Sequence, residues 1–88
     1  MTDLVHAFAI VILLAARRSL RRLPANLAKR ILEKIADYAA DPASAANNVT
    51  ALRGRSGIRL RVGDWRVIIE DGEVLEVVQV GPRGGIYE

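Results

Sequence analysis

The sequence predicts an α+β domain in which two N-terminal helices pack on one face of a small, largely antiparallel sheet, in the order β-α-α-β-β-β. Apolar residues recur at helical spacing between positions 13 and 39, and at every second position between 58 and 69. Turn-forming glycine, proline and aspartate residues separate these segments, and no repeat or linker interrupts them. Helices and strands segregated in this way pack as two layers. With 88 residues, the chain is expected to form a single domain spanning residues 1–88.

The first element is predicted to be a buried strand. Residues 7–16 are all apolar, and the strand formers Phe8, Ile10, Val11 and Ile12 would occupy both of its faces. The segment is shorter than the roughly 20 residues that a membrane-spanning helix requires. The residues before it lack the Lys or Arg of a signal peptide. We therefore expect a cytoplasmic protein that does not bind membranes.

Two amphipathic helices follow. In the first, Leu13, Ala16, Leu20 and Leu23 recur on one face, and four arginines lie on its flank, namely Arg17, Arg18, Arg21 and Arg22. The second begins at Pro24, which suits a first helical turn, and stops before Asp41-Pro42. Its broad apolar stripe contains Leu27, Ala28, Ile31, Leu32, Ile35, Ala36 and Ala39. Residues 43–50 have no periodic pattern and are predicted to form a connecting loop.

Three strands with period-two patterns complete the chain. The inward residues of the first two are predicted to be Ile58, Leu60 and Val62, then Trp65, Val67 and Ile69. Gly63-Asp64 is predicted to form a two-residue turn between them, and Asp71-Gly72 a second such turn. The last strand is predicted to run from Val74 to Val80 and to end at Gly81-Pro82.

Positive charge is concentrated in one part of the sequence. The net charge of +3 favours an anionic partner such as a nucleic acid or an acidic protein. Between residues 53 and 66, where Asp64 is the one acid, the basic residues are Arg53, Arg55, Arg59, Arg61 and Arg66. The acidic residues gather instead between positions 70 and 76. This separation indicates a local basic surface.

The predicted register places like charges beside each other. Arg61 would lie opposite Arg66, an arrangement that costs a few tenths to about 1 kcal/mol. The final strand would return Arg83 to the same level, and the glycines after it would let the chain bend so that Tyr87 approaches. We therefore predict a site for an external anion. The alternatives are a solvated basic face without function and an idle C-terminus.

The available residue types favour phosphodiester transfer. Arg61, Arg66 and Arg83 supply guanidinium groups, which match phosphate oxygens and stabilise negative charge in a transition state. RNA supplies its own nucleophile, the ribose 2′-OH, so the prediction includes no metal and no small-molecule cofactor. A zinc site is not expected because the chain contains one His, His6, and no Cys. Tyr87 is the candidate for proton transfer, since arginine stays protonated.

Residues 52–88 resemble the C-terminal half of the RelE-type toxins of bacterial toxin-antitoxin pairs. The matching motifs are Leu52-Arg53-Gly54, Arg59-Leu60-Arg61, Gly63-Asp64-Trp65-Arg66, Gly81-Pro82-Arg83 and Tyr87. The N-terminal half is similar in layout. The resemblance implies the RelE-like fold, a cognate antitoxin as partner, and cleavage of mRNA on the ribosome that leaves a 2′,3′-cyclic phosphate.

The resemblance also implies a role for each matching residue. Arg59 and Arg61 would orient the scissile phosphate, and Arg66 would stabilise the transition state. Arg83 would act beside the leaving group, and Tyr87 would help to activate the 2′-OH or stack on a base. The predicted catalytic residues are Arg61, Arg66, Arg83 and Tyr87, and the predicted RNA-binding residues are Arg53, Arg55 and Arg59 together with Arg17, Arg18, Arg21 and Arg22. The last four suit ribosomal RNA, which they would contact through its phosphates.

The chain departs from the RelE pattern at several positions. Arg59 and Arg61 stand where Lys is frequent, Pro82 stands where Lys or His is usual, and Gly84-Gly85 replaces a charged pair. These departures leave open a weak or ribosome-dependent nuclease. A ParE-like inhibitor of DNA gyrase, which acts by protein contact, shares the fold, and a noncatalytic RNA-binding domain is a third alternative. The four predicted catalytic residues favour the nuclease.

Overall fold

The part of the chain that the computed structural model describes, residues 10–84, folds as two layers, a five-stranded sheet with helices on one face. Its elements are strand β1 (Ile10–Ile12), helices α1 (Leu14–Arg21) and α2 (Ala25–Ala40), a 3₁₀ helix (Pro42–Asn48), and strands β2 (Val49–Ala51), β3 (Gly57–Val62), β4 (Trp65–Asp71) and β5 (Leu75–Pro82). The strand order is β1-β5-β4-β3-β2, with β1 parallel to β5 and the other neighbours antiparallel. The predicted α+β class and its β-α-α-β-β-β order are confirmed, with β2 as an additional short strand.

The core lies between the helices and the facing side of the sheet. The helices contribute Ala16, Leu20, Ile31, Ile35 and Ala39, and the sheet contributes Leu60, Val62, Val67, Ile69, Leu75, Val77 and Val80. Trp65 is half-buried and packs against this cluster, as its phase on the strand predicts. Full burial of one such aliphatic side chain stabilises the fold by about 1.5–3 kcal/mol. Among the described residues, no helix is long and apolar enough to cross a membrane.

The β3–β4 hairpin has the predicted register. Val62 pairs with Trp65 and Arg61 with Arg66, on either side of the two-residue turn at Gly63. Gly63 has a φ of +60°, and no other type of residue among those described has a positive φ. This combination is typical of a type II′ turn, whose first central position requires glycine. The hairpin therefore holds two arginines side by side on its outer face.

The second turn and the last strand differ from the prediction. Asp71 pairs with Leu75, so the connection contains three residues rather than the predicted two. The N–H of Gly72 donates to the carbonyl oxygen of Val74 at 3.2 Å, which closes this short loop. The last strand thus begins at Leu75 and continues through Pro82, beyond the predicted Val80. A bulge interrupts the β4–β5 pairing at Ile68/Ile69 and adds local twist.

The prediction that residues 43–50 form a loop was also wrong, because they belong to the 3₁₀ helix and to β2. Pro42 occupies the start of the 3₁₀ helix, where its fixed φ and missing N–H are tolerated. Val49 and Thr50 then pair with Leu60 and Arg59 of β3 and form strand β2. This pairing is a tertiary contact, and it overrides a segment that has no periodic pattern of its own.

The apolar faces of the N-terminal half are less buried than predicted. Val11 is 41% exposed, so β1 is not covered on both faces, and Leu13 precedes α1 and is 36% exposed. On α2 the buried stripe is narrower than predicted, because Leu32 is 40% exposed and Ala36 is exposed as well. The physical reason is that the sheet covers one side of each helix only. The predicted strand residue Phe8 lies outside the described residues.

Candidate functional site

A basic groove, here called the main groove, lies where α2, the 3₁₀ helix and the β3–β4 turn meet. It has a volume of about 540 Å³. Its charged lining residues are Arg30 and Lys34 of α2, Arg61 and Arg66 of the hairpin, Arg83 after β5, and the acids Asp37 and Asp64. The lining therefore carries an excess of positive charge. A low-dielectric wall of protein beneath such a cluster increases its attraction for anions.

Hydrogen bonds hold the two hairpin arginines in place. The Nη2 of Arg61 donates to Oδ1 of Asn48 at 3.0 Å. The Nη1 of Arg66 donates to the carbonyl oxygens of Gly63 and Trp65, each at 2.9 Å. Neither guanidinium forms an ion pair with a carboxylate in the described part of the chain. Both are oriented by neutral acceptors, and no carboxylate among the described residues lies within ion-pair distance of either guanidinium.

The segment after β5 brings a third arginine to the main groove. Gly81 pairs with Arg66 and Pro82 with Trp65, which confirms that β5 returns to the level of the arginine pair. The backbone N–H of Arg83 then donates to the carbonyl oxygen of Asp64 at 2.7 Å. This bond ties the end of β5 to the β3–β4 turn and places Arg83 in the lining.

The structure thus brings three of the four predicted catalytic residues, Arg61, Arg66 and Arg83, to one groove. Their catalytic roles stay a prediction. Tyr87 lies outside the described residues, and its role stays a prediction too.

A smaller pocket, here called the side pocket, adjoins the main groove. It has a volume of about 240 Å³ and is lined by Asn47, Asn48, Thr50, Arg59, Arg61 and Arg66. Asn48, Arg61 and Arg66 line both spaces and are here called the shared wall. The predicted RNA-binding residue Arg59 is therefore a neighbour of the arginine pair.

The remaining predicted RNA-binding residues lie elsewhere. Arg55 forms an ion pair with Glu70 at 2.7 Å, at the opposite end of the sheet from the β3–β4 turn. Arg53 is exposed on the connection between β2 and β3, which also carries Arg55. On α1, the Nε of Arg17 donates to the carbonyl oxygen of Ile12 at 3.1 Å, and the other three arginines of that flank, Arg18, Arg21 and Arg22, are exposed. None of these residues lines the main groove or the side pocket.

The contributions of α2 and the 3₁₀ helix to the site were not predicted from the sequence. Arg30 and Lys34 are four positions apart and so share one helix face, which was the available signal. Asn47 and Asn48 lie in the segment interpreted as a loop. The position of α2 beside the turn is what brings the basic pair into the groove.

Tyr38 is a phenol within the described residues, and its environment does not activate it. Burial raises its pKa, and the nearby carboxylate of Asp71 raises it further. It packs against the core and does not line the main groove. It is therefore unsuited to act as a general base.

Comparisons with known proteins identify the family. The family model described as the ParE toxin of type II toxin-antitoxin systems matches residues 10–87. No curated protein matches significantly.

Solved structures share the fold. The RelBE2 toxin-antitoxin complex of Mycobacterium tuberculosis is 20% identical, covers 86% of this chain and 91% of that chain, and has a TM-score of 0.71. The archaeal RelE-RelB complex of Pyrococcus horikoshii is 23% identical, and the match covers 90% of this chain and 98% of that chain with a TM-score of 0.71. The intact RelBE complex of E. coli is 22% identical, and the match covers 85% of this chain and 95% of that chain with a TM-score of 0.65.

The resemblance to the RelE/ParE superfamily is therefore confirmed, and at these identities the likeness to the solved structures concerns the fold alone. The family model covers nearly the whole sequence, from the first described strand to beyond β5. The chain accordingly belongs to the ParE toxin family and is a toxin of a type II toxin-antitoxin system.

Proposed function

We propose that this toxin is a metal-independent endoribonuclease that cleaves mRNA on the ribosome and so inhibits translation. The observation that carries the proposal is the position of Arg61 and Arg66, opposite each other across the hairpin and without a carboxylate partner among the described residues, with Arg83 on the same groove. A fold tolerates directly opposed like charges at a cost of a few tenths to about 1 kcal/mol. A phosphodiester bound between them would offset that cost.

The reaction needs little from the protein beyond charge and position. The ribose 2′-OH loses its proton and attacks the adjacent phosphorus, the bond to the 5′-oxygen breaks, and that oxygen takes up a proton. The products are a 2′,3′-cyclic phosphate and a free 5′-OH. Arg61 and Arg66 would neutralise the charge that develops on the phosphate oxygens, and Arg83 would act beside the leaving oxygen. By resemblance to RelE-type toxins, Tyr87 would assist proton transfer from the 2′-OH.

The proposed partners follow from the charge of two surfaces. A cognate antitoxin would cover the main groove with an acidic or amphipathic segment; the solved structures with the same fold are complexes of RelE with RelB. The basic flank of α1 would contact ribosomal RNA through its phosphates. With these two partners the toxin would act in the cytoplasm.

The test is to incubate translating ribosomes with the toxin and map the ends of the mRNA. Arg66→Ala and Arg83→Ala are each expected to lower the cleavage rate about 10²- to 10³-fold. Lys29→Ala is the matched control, because Lys29 is an exposed base beside Arg30 that does not line the groove. Undiminished cuts with both arginine variants, at unchanged thermal stability, would reject the site.

A second candidate function is inhibition of DNA gyrase by protein contact. The observation that favours it is the match to the ParE toxin model. A supercoiling assay with the same preparations separates the two candidates. Inhibition of supercoiling, with intact mRNA on the ribosomes, would assign the chain to the gyrase inhibitors.

A further inference from the structure

We propose that the side pocket binds a second phosphate group of the same RNA strand, next to the phosphate held between Arg61 and Arg66. This inference rests on the proposed function, which makes RNA the ligand. It predicts that RNA with two neighbouring phosphates binds more tightly than RNA with one.

The geometry of the shared wall supports two adjacent phosphate positions. Asn48, Arg61 and Arg66 line the main groove on one side and the side pocket on the other. The hydrogen bond from Arg61 to Asn48 joins two residues of this wall and orients a guanidinium that lines both spaces. Because each nucleotide of a single strand carries one phosphate, a strand bound at the wall presents its next phosphate to the neighbouring pocket.

The chemistry of the side pocket selects an anion. Its lining contains guanidinium groups, two amides and a hydroxyl, and among the described residues that form it there is no carboxylate. The main groove, in contrast, includes Asp37 and Asp64. Guanidinium, amide N–H and hydroxyl groups are the donors that proteins use for phosphate oxygens.

The same lining disfavours a nucleobase. Base-binding surfaces on single-stranded nucleic acid proteins use aromatic side chains on which the bases stack. The residues that line the side pocket, as far as the structure describes them, include no aromatic side chain. A phosphate is therefore the part of a nucleotide that fits the pocket.

The edge strand β2 offers a matched pair of test variants. Thr50 is exposed and pairs with Arg59 across β2 and β3, so its side chain is a neighbour of that guanidinium on the same face. Ala51 is also exposed, but it is the next residue on the strand and points to the opposite face. Thr50→Glu places a carboxylate in the side pocket, whereas Ala51→Glu adds the same charge outside it.

The experiment measures binding of oligonucleotides that cannot be cleaved because each 2′-OH is replaced by hydrogen. Ligands with one, two and three phosphates are titrated by fluorescence anisotropy at several salt concentrations. For the wild type, the second phosphate is expected to raise affinity about tenfold and to steepen the dependence of log K on log salt by about 0.7. Thr50→Glu should lose this gain, and Ala51→Glu should keep it.

A wild type that gains nothing from the second phosphate would overturn the inference, and so would an Ala51→Glu variant that loses as much as Thr50→Glu. Parallel cleavage assays on mRNA in translating ribosomes separate this inference from the proposed function. Stepwise binding without cleavage would refute the nuclease and sustain the second phosphate site. Cleavage together with equal affinities for ligands with one and with two phosphates would sustain the nuclease and refute this inference.

Discussion

Replacing Gly63 by alanine should destabilise the protein and so tests the turn that aligns Arg61 with Arg66. Gly63 has a φ of +60°, a conformation that costs an L-residue about 1–2 kcal/mol. A Cβ there would lie 3.6 Å from Nη2 of Arg30, which is ordinary van der Waals contact, so the strain comes from the backbone alone. We expect a loss of about 1–2 kcal/mol of unfolding free energy, or roughly 4–8 °C in Tm per kcal/mol for a domain of this size.

Urea and thermal denaturation, followed by circular dichroism, measure this loss. Gly72→Ala is the control, because that glycine has no positive φ and a Cβ there would meet nothing closer than the Val74 oxygen at 3.9 Å. It should change stability by less than about 1 kcal/mol, in either direction. If Gly63→Ala proves as stable as the wild type, the turn does not have the described geometry and the opposed arginines lose their structural basis.

Three further predictions concern side chains around the site and the core. Asn48→Ala should lower kcat for RNA cleavage several-fold, since it frees Arg61 without removing it. An equal loss in an Asn26→Ala variant, which removes an exposed amide outside the main groove and the side pocket, would argue against this positioning role. Arg55→Ala should cost less than about 1 kcal/mol in a urea titration and leave cleavage unchanged, because its ion pair with Glu70 is partly exposed and lies away from the groove. Burial and the carboxylate of Asp71 raise the pKa of Tyr38, so the protonated phenol favours the folded state. This contribution to the free energy of unfolding is complete below pH of about 10 and declines as the pH rises through the folded pKa. Tyr38→Phe should therefore flatten the fall in stability above pH of about 10, and an identical fall in both proteins would contradict this assignment.

The hairpin could be predicted from the sequence because its signals are local. Gly63-Asp64 lies between two segments of period two, and a two-residue turn fixes the register of both strands. The position of Arg61 opposite Arg66 followed directly from that turn. The three-residue connection after Asp71 was mistaken for a two-residue turn, because Asp-Gly suits both lengths.

The parts of the site that the sequence did not reveal depend on tertiary contacts. Strand β2 forms because Thr50 and its neighbours pair with β3. Residues 43–50 have no sequence pattern from which this pairing could be predicted. Arg30 and Lys34 look like the solvated face of a helix until the fold places α2 beside the β3–β4 turn. Asn48 joined the site for the same reason, through its bond with Arg61.

The central claim is that Arg66 and Arg83 act on one phosphate, and a double-mutant cycle on RNA cleavage tests it most directly. Cleavage rates are measured for the wild type, Arg66→Ala, Arg83→Ala and the double variant on translating ribosomes. If both guanidinium groups stabilise the same transition state, the double variant should lose much less than the product of the two single losses. If either single variant cleaves at the wild-type rate, that guanidinium does not act on the scissile phosphate, and a single phosphate site shared by Arg66 and Arg83 is refuted.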